Sequence, residues 1–426
     1  MTGALIQLVS IGKQDKFFIG KPEFSFFKKV YKRYCNFAIE TKEILFSGNS
    51  DFGKKTSAVI KKDGDLISDI ALNIHLGSLN SNTSNIDNNC ANDINEKVIF
   101  SWVNSIGHVL LEYVEIEIGG CVIDKHYGEW YEIWNELSMT YDKKKGYNQL
   151  IGKVNNIGYS YTTFQNELNL IIPLQFWFCK YISLALPCIA ILNQEININI
   201  KWKEFNDLWI CNYKDKTPKI PAFKSSLLIN YIYLDADERR EIVKKKHYIL
   251  IDQLQYNGEN FFKKNDKNPK VKLNFYHPVK ELVWVFQRTD IIGSNYDDLN
   301  NIKYGNDWFN YSAFKNNLNY DFFKTAKINM NNTTRINNMS AIFYRLYNPL
   351  KHHTSTPNNF IYCYSFSISP EKYQPSGVCN FSLINNVNLI FNLNKNITSD
   401  YKIKVFGINL NILIIKNGNA SIGFYN

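Results

Sequence analysis

The 426 residues contain only four methionines and seven histidines. Eight cysteines (Cys35, Cys90, Cys121, Cys179, Cys188, Cys211, Cys363 and Cys379) are scattered and never form C-x-x-C. Zinc ribbons and dithiol redox pairs need close ligands, so the spacing speaks against both. Long apolar runs are missing too. Leu168–Leu192 is broken by Pro173, Lys180 and Pro187, and the uncharged stretch from Tyr373 to Asn394 is rich in Asn, so no membrane span is expected. Met1 to Ile11 lacks the basic start of a secretory signal, which predicts a reducing compartment and free thiols. No phosphate loop, G-x-G-x-x-G, H-E-x-x-H or G-x-S-x-G elbow occurs.

Apolar residues at 45% and charged residues at 21% are close to globular averages, which excludes wholesale disorder. At this length two or more domains are expected. Asn is the unusual residue, 56 of 426, alongside 27 Tyr and 29 Phe. That mixture suits strands joined by polar turns. A net charge of +10 is spread, with its densest clusters at Lys28, Lys29, Lys32 and Arg33, at Lys143–Lys145 and at Lys244–Lys246. No nucleic-acid-binding motif accompanies them, so they read as solvated faces and no specific nucleic-acid binding is expected.

Strand patterns dominate: Thr56–Ile60, Leu66–Leu76, Val109–Ile118, Ile196–Trp202, Leu227–Leu234, Val271–Phe275, Leu282–Gln287, Ile361–Ile368, Asn386–Asn392 and Lys402–Ile415. Tyr113–Ile118 runs through Gly119-Gly120 into Cys121–Asp124, a tight hairpin rather than a phosphate cradle. Helices are few. Over Tyr127–Met139, Trp130, Ile133, Trp134 and Leu137 share one face, away from Glu129, Glu132 and Glu136. A second helix starts at Asp235, and a short turn is expected within Pro173–Lys180. Leu79–Glu96 and Asn316–Ser340 read as long exposed loops.

Four groups invite a chemical reading, and each has a plainer one. His352-His353 signals no third metal ligand and fits a loop or interface. Asp235, Asp237 and Glu238 fit a capped helix start better than a cation site. The helical spacing of Trp130 and Trp134 fits a core better than a sugar platform. Eight N-x-[ST] sequons, at Asn82, Asn310, Asn331, Asn332, Asn338, Asn380, Asn396 and Asn419, are expected to be unmodified. No catalytic, cofactor or metal site is assigned.

Seven segments, in order along the chain, resemble one family: Gly3–Glu40, Tyr113–Ser138, Pro173–Ile191, Tyr231–Gln255, His277–Gln287, Tyr364–Asn386 and the terminal stretch KVFGINLNILIIKNGNASIGFYN. They are similar to the major capsid proteins of the nucleocytoplasmic large DNA viruses. The resemblance implies an all-β chain of two consecutive eight-stranded jelly-roll sandwiches with a few short helices. Lys214, Asp215, Lys216, Pro218, Lys219 and Pro221 interrupt the strand pattern near 207–224, which sets a linker (214–224) between a first jelly roll (25–213) and a second (225–426), and the resemblance implies that the N-terminal segment (1–24) lies at the capsomer base. Three chains would form a pseudo-hexameric capsomer that tiles an icosahedral shell, assembled in the host cytoplasm. Its partners would be further copies, minor capsid proteins and the viral membrane at the capsid interior. No enzymatic role is expected. A minor capsid paralogue of the same fold and a cellular lectin-like β-sandwich stand as alternatives.

Overall fold

A computed structural model of the chain describes residues 2–79, 100–153, 166–212, 216–266, 268–293, 305–313, 320–394, 397 and 399–425. It forms two compact units, Met1–Phe37 and Ala38–Asn426. The first carries helical turns at Gly3–Val9 and Asp15–Ile19, and none of its described residues is buried.

The second unit is built of strands. The first eight major strands are β1 (Phe37–Leu45), β2 (Lys55–Val59), β3 (Leu66–Leu76), β4 (Leu111–Ile118), β5 (Cys121–Tyr127), β6 (Leu168–Pro173), β7 (Ile196–Trp202) and β8 (Phe223–Leu234). They form two sheets, ordered β1-β8-β3-β6 and β2-β7-β4-β5. The next eight are β9 (His247–Phe262), β10 (Lys270–Leu273), β11 (Pro278–Arg288), β12 (Phe323–Met330), β13 (Thr333–Ser340), β14 (Ile361–Ser365), β15 (Val387–Leu393) and β16 (Tyr401–Lys416). Their sheets run β9-β16-β11-β14 and β10-β15-β12-β13. Counted from its own first strand, each half reads 1-8-3-6 and 2-7-4-5. The chain is a jelly roll repeated, although no repeat is visible residue by residue.

This topology corrects the expected domain boundary. β8 lies between β1 and β3, pairing Phe223 with Leu76 and Ile232 with Leu66. It closes the first sandwich, so the break falls after Leu234 and not at 214–224. The prolines and lysines near 218 mark a loop before the closing strand, not a linker between domains.

The region 316–340 also departs from expectation. Residues 323–330 and 333–340 form the hairpin β12–β13, turned by Asn331 and Asn332 at φ +45° and +66°. Asn tolerates this left-handed turn, which is why Asn marks both the loop and the hairpin. β13 is an edge strand exposed along almost all of its length, so no apolar alternation betrays it. The Asn-rich stretch 80–96 lies outside the described residues.

Each sandwich has its own core, and the two intrude on each other. Helix α1 (Gly128–Ser138) leaves the first sandwich directly after β5, yet Trp130, Ile133, Trp134 and Leu137 lie in the core of the second. In return, Leu413, Ile415 and Ala420 from the end of the chain join the core of the first. Glycines at 119 and 120, with φ +59° and +83°, make the tight β4–β5 turn that aims the chain into α1.

Candidate assembly surfaces

The arm, residues 2–37, is rich in aromatic side chains that bury nothing. Phe17, Phe18, Phe24, Phe26, Phe27, Tyr31 and Tyr34 are all exposed, and Phe27 is 99% accessible. With them stand Lys13, Lys16, Lys21, Lys28, Lys29, Lys32 and Arg33, all exposed and without an ion pair among the described residues. Apolar groups at this density in water mark a contact surface.

A second surface lies over the second sandwich. A π-turn at Phe343–Tyr347 runs into helix Asn348–His352 and leaves Ile342, Leu346, Tyr347 and Leu350 exposed. Nearby apolar groups at Ile368, Tyr373 and Val378 are also exposed. In the first sandwich, Tyr181 and Ile182 follow the short helix Trp177–Lys180, which matches the expected turn.

Within the second unit, buried polar groups hold the framework together. Glu132 and Glu136, expected on the polar face of α1, are instead almost wholly buried. Glu132 contacts His108 Nδ1 at 2.7 Å and Lys153 Nζ at 2.5 Å, while His108 Nε2 lies 3.0 Å from Tyr147 Oη. Glu136 pairs with Lys153 and Lys144, both at 2.8 Å, and also accepts from the Asn358 backbone amide of the second sandwich. Burial opposes the charge on Glu132, but Lys153 and His108 hold its carboxyl down at about 2. The partners sit at 108 and 153, far from α1 in sequence, and no local spacing marks them.

The junction carries a second set. Asp252 on β9 receives Lys180 at 2.8 Å and Lys280 at 2.7 Å. Lys404 on β16 reaches Glu129 on α1 at 2.6 Å. Trp134 lies against both Lys180 and His353, with 5.2 Å from ammonium to ring and 6.3 Å between rings. One small cavity at this junction, lined by Asp124, His126, Lys180 and Asp252 together with Trp130 and Trp134, has room for about a single water molecule.

The chemically suggestive residues resolve as follows. His353 is fully buried between Glu281 and Glu371, 2.9 Å from each, while His352 Nδ1 donates to the Ile368 carbonyl at 3.0 Å. The two neighbouring imidazoles therefore do not converge. Asp235 caps helix α2 (Ala236–Lys244), accepting from the amides of Asp237 and Glu238. Trp130 and Trp134 stack on each other within the core, 5.5 Å apart. Among the described residues no group of three His, Cys, Asp or Glu side chains could hold a metal ion, and no helix is long and apolar enough to cross a membrane. Cys121, Cys179, Cys188, Cys363 and Cys379 are free thiols, and Cys90 lies outside the described residues.

Residues 25–235 match the family model of the major capsid protein N-terminus, and residues 238–421 match that of the large eukaryotic DNA virus major capsid protein. The two matches meet just after β8, where the strand order closes the first sandwich. The major capsid protein of Pyramimonas orientalis virus is 33% identical, with all of both chains covered. That of Paramecium bursaria Chlorella virus 1 is 30% identical over 91% of this chain and 87% of its own length. The quasi-atomic model of the PBCV-1 virus capsid superposes with a TM-score of 0.78 at 26% identity, covering 94% of this chain and all of that one. The Faustovirus major capsid protein shares the fold, with a TM-score of 0.73 at 13% identity over 97% of this chain and 96% of its own.

Proposed function

This chain belongs to the large eukaryotic DNA virus major capsid protein family, and from that premise we propose that three copies close into one capsomer. Its role is structural: it is a component of the virion capsid and self-assembles into the shell. The repeated strand order carries the trimer reading. A tile in a hexagonal array needs six similar lobes, and one chain supplies two of the same topology, fused by exchanged core elements. Closed cyclic symmetry with three chains completes the outline. No catalytic role is assigned to any residue.

In this reading the arm lies at the base of the capsomer, where its aromatic and cationic side chains meet the particle interior. Minor capsid proteins and the anionic surface of an inner membrane are the partners that suit such a segment. A minor capsid paralogue would share the fold and differ in copies per particle.

The test is the mass in solution. Light scattering on the purified chain should give about three times 49.7 kDa. A stable monomer at micromolar concentration would overturn the capsomer reading.

A further inference from the structure

We propose that the paired cations Lys28-Lys29 and Lys32-Arg33 are an endoproteolytic processing site. The enzyme that fits them is a serine endoprotease with acidic pockets for two adjacent basic residues, which would cut the arm from the chain. The site stands on the exposure of the arm itself and not on the capsomer reading.

Two or more adjacent Lys or Arg residues occur at eight places: 28–29, 32–33, 54–55, 61–62, 143–145, 239–240, 244–246 and 263–264. An endoprotease takes its substrate as an extended strand several residues long, so a pair is a site only where the backbone is free to adopt that form. Six of the eight are held. Lys55 opens β2, while Lys54 donates its amide to the Asp51 carbonyl and accepts from the Trp202 amide. The Lys61 carbonyl accepts from Tyr231 Oη, and Lys62 Nζ donates to the Leu192 and Gln194 carbonyls. Lys143–Lys145 lie inside helix Tyr141–Leu150. Arg239, Arg240 and Lys244 lie inside α2, and the Lys245 amide closes its last turn on the Glu241 carbonyl. The amides of Lys263 and Lys264 donate to the carboxylates of Asp266 and Asp400, at 3.0 and 2.9 Å. Cutting at any of these runs first requires local unfolding.

The two pairs in the arm carry no such restraint. Residues 28–36 form neither helix nor strand, and every one of them is exposed. From Lys28 to Tyr34 the backbone makes no hydrogen bond among the described residues. Val30 and Tyr34, which follow the two pairs, are 76% and 84% exposed. Neither is a proline, whose ring would crowd the scissile bond. No carboxylate occurs in sequence between Glu23 and Glu40, so an acidic pocket has no local rival for the four cations.

Charge complementarity selects the enzyme class: a pocket lined by carboxylates receives Lys or Arg on the N-terminal side of the bond. The net step is hydrolysis. The bond from the Arg33 carbonyl carbon to the Tyr34 nitrogen breaks, and one water supplies hydroxyl to the carbon and a proton to the nitrogen. Arg33 is left with a carboxylate and Tyr34 with an amine. Cutting there releases all seven arm cations with only two carboxylates, Asp15 and Glu23, so the formal side-chain charge of the remaining chain falls from +10 to +5. Phe17, Phe18, Phe24, Phe26 and Phe27 leave with them. The cut is a one-way switch on the attraction that the arm supplies.

Limited digestion of the purified full chain with a Lys-Arg-specific serine endoprotease, read by intact mass and N-terminal sequencing, tests this. The first new termini should be Tyr34 and Val30, appearing at least about tenfold faster than any cut in the six held runs. None of the arm's described residues is buried, so the product should keep the circular dichroism and melting temperature of the full chain. The variant Lys28→Gln/Lys29→Gln/Lys32→Gln/Arg33→Gln changes only exposed side chains and should slow cutting in the arm at least about a hundredfold. A first cut in any other run, an arm that stays uncut, or equal cutting of the folded variant would overturn the site; the order of cutting in wild type decides even without the variant. Terminal sequencing of the chain from virus-producing cells separates a processing site from a merely accessible one. Chains that begin at Tyr34 or Val30 support the proposal, and chains that all retain the arm overturn it.

Discussion

Trp130 of the first sandwich packs its ring against Phe406 of the second, with centroids 5.5 Å apart. Trp130 belongs to α1, the helix that follows the β4–β5 hairpin of one jelly roll, and Phe406 lies on the closing strand of the other. The first lobe therefore completes the core of the second. Trp130→Ala would leave a cavity at that contact, and should cost about 3–5 kcal/mol in urea unfolding. Because the cores are shared, the two sandwiches of wild type should unfold in one calorimetric transition. Two well-separated transitions would show that the exchanged elements do not couple the lobes.

A similar argument applies to the carboxylates of α1. Burial works against their charge, yet Lys153 and His108 hold Glu132 at about 2, and Lys153 and Lys144 lower Glu136 in the same way. Asp252 is likewise lowered, against burial, by Lys180 and Lys280. As pH falls, the unfolded chain binds these protons before the folded one does. The stabilisation is therefore complete above the ordinary carboxyl value of 4.5 and drains away as pH approaches about 2. Urea midpoints should be flat on this account above about pH 5 and fall steeply below it. Glu132→Gln leaves Lys153 and His108 under-compensated, so it should lose about 3–5 kcal/mol at neutral pH and show a shallower acid limb. Parallel acid limbs for wild type and variant would contradict this.

The legible parts of this molecule are those whose signal is local. Leu66–Leu76 and Ile196–Trp202 bury their alternate apolar residues from Ile70 to Leu76 and from Ile196 to Trp202, and both strands have the limits their pattern implies. Asp235 and its cap are read from the D-x-x-E spacing to Glu238 and from the lysines that close the helix. β13 is not legible, since an exposed edge strand of Thr and Asn carries no burial pattern. The charged face of α1 misleads for the opposite reason. Glu132 and Glu136 look like solvent contacts until His108, Lys144 and Lys153 are folded over them. The place of β8 depends on topology alone: it follows a Pro- and Lys-rich loop yet closes the sandwich that came before.

The cysteines should separate by reactivity. Burial raises the thiols of Cys179 and Cys363 and pushes Cys188 up to about 12, so few thiolates form at neutral pH. Cys121, in the exposed β4–β5 hairpin, is open to solvent. Brief alkylation of native protein, mapped by mass spectrometry, should label Cys121 while sparing Cys179, Cys188 and Cys363 until denaturant is added. In unreduced protein Cys121, Cys179, Cys188, Cys363 and Cys379 should all carry free thiols; a stoichiometric bridge through any of them would contradict assembly in a reducing compartment.

The arm provides the last prediction. Residues 2–37 expose aromatic groups from Phe17 to Phe37 and seven cations from Lys13 to Arg33, and none of these cations has an ion pair among the described residues. Near an anionic bilayer each such cation contributes about 1 kcal/mol, an attraction that decays within a Debye length of about 8 Å at physiological salt. The aromatic groups add an apolar anchor that salt does not screen. Intact protein should therefore co-sediment with vesicles containing phosphatidylserine, bind neutral vesicles far less, and lose most of the difference as salt is raised. Deleting Met1–Gly20 removes Lys13 and Lys16 with Phe17 and Phe18, and should weaken vesicle binding and particle assembly while leaving trimers intact. Failure of the truncated chain to trimerise would place the arm in the subunit interface, with its cations paired to acidic groups of a neighbouring copy, and would refute the inward-facing arrangement.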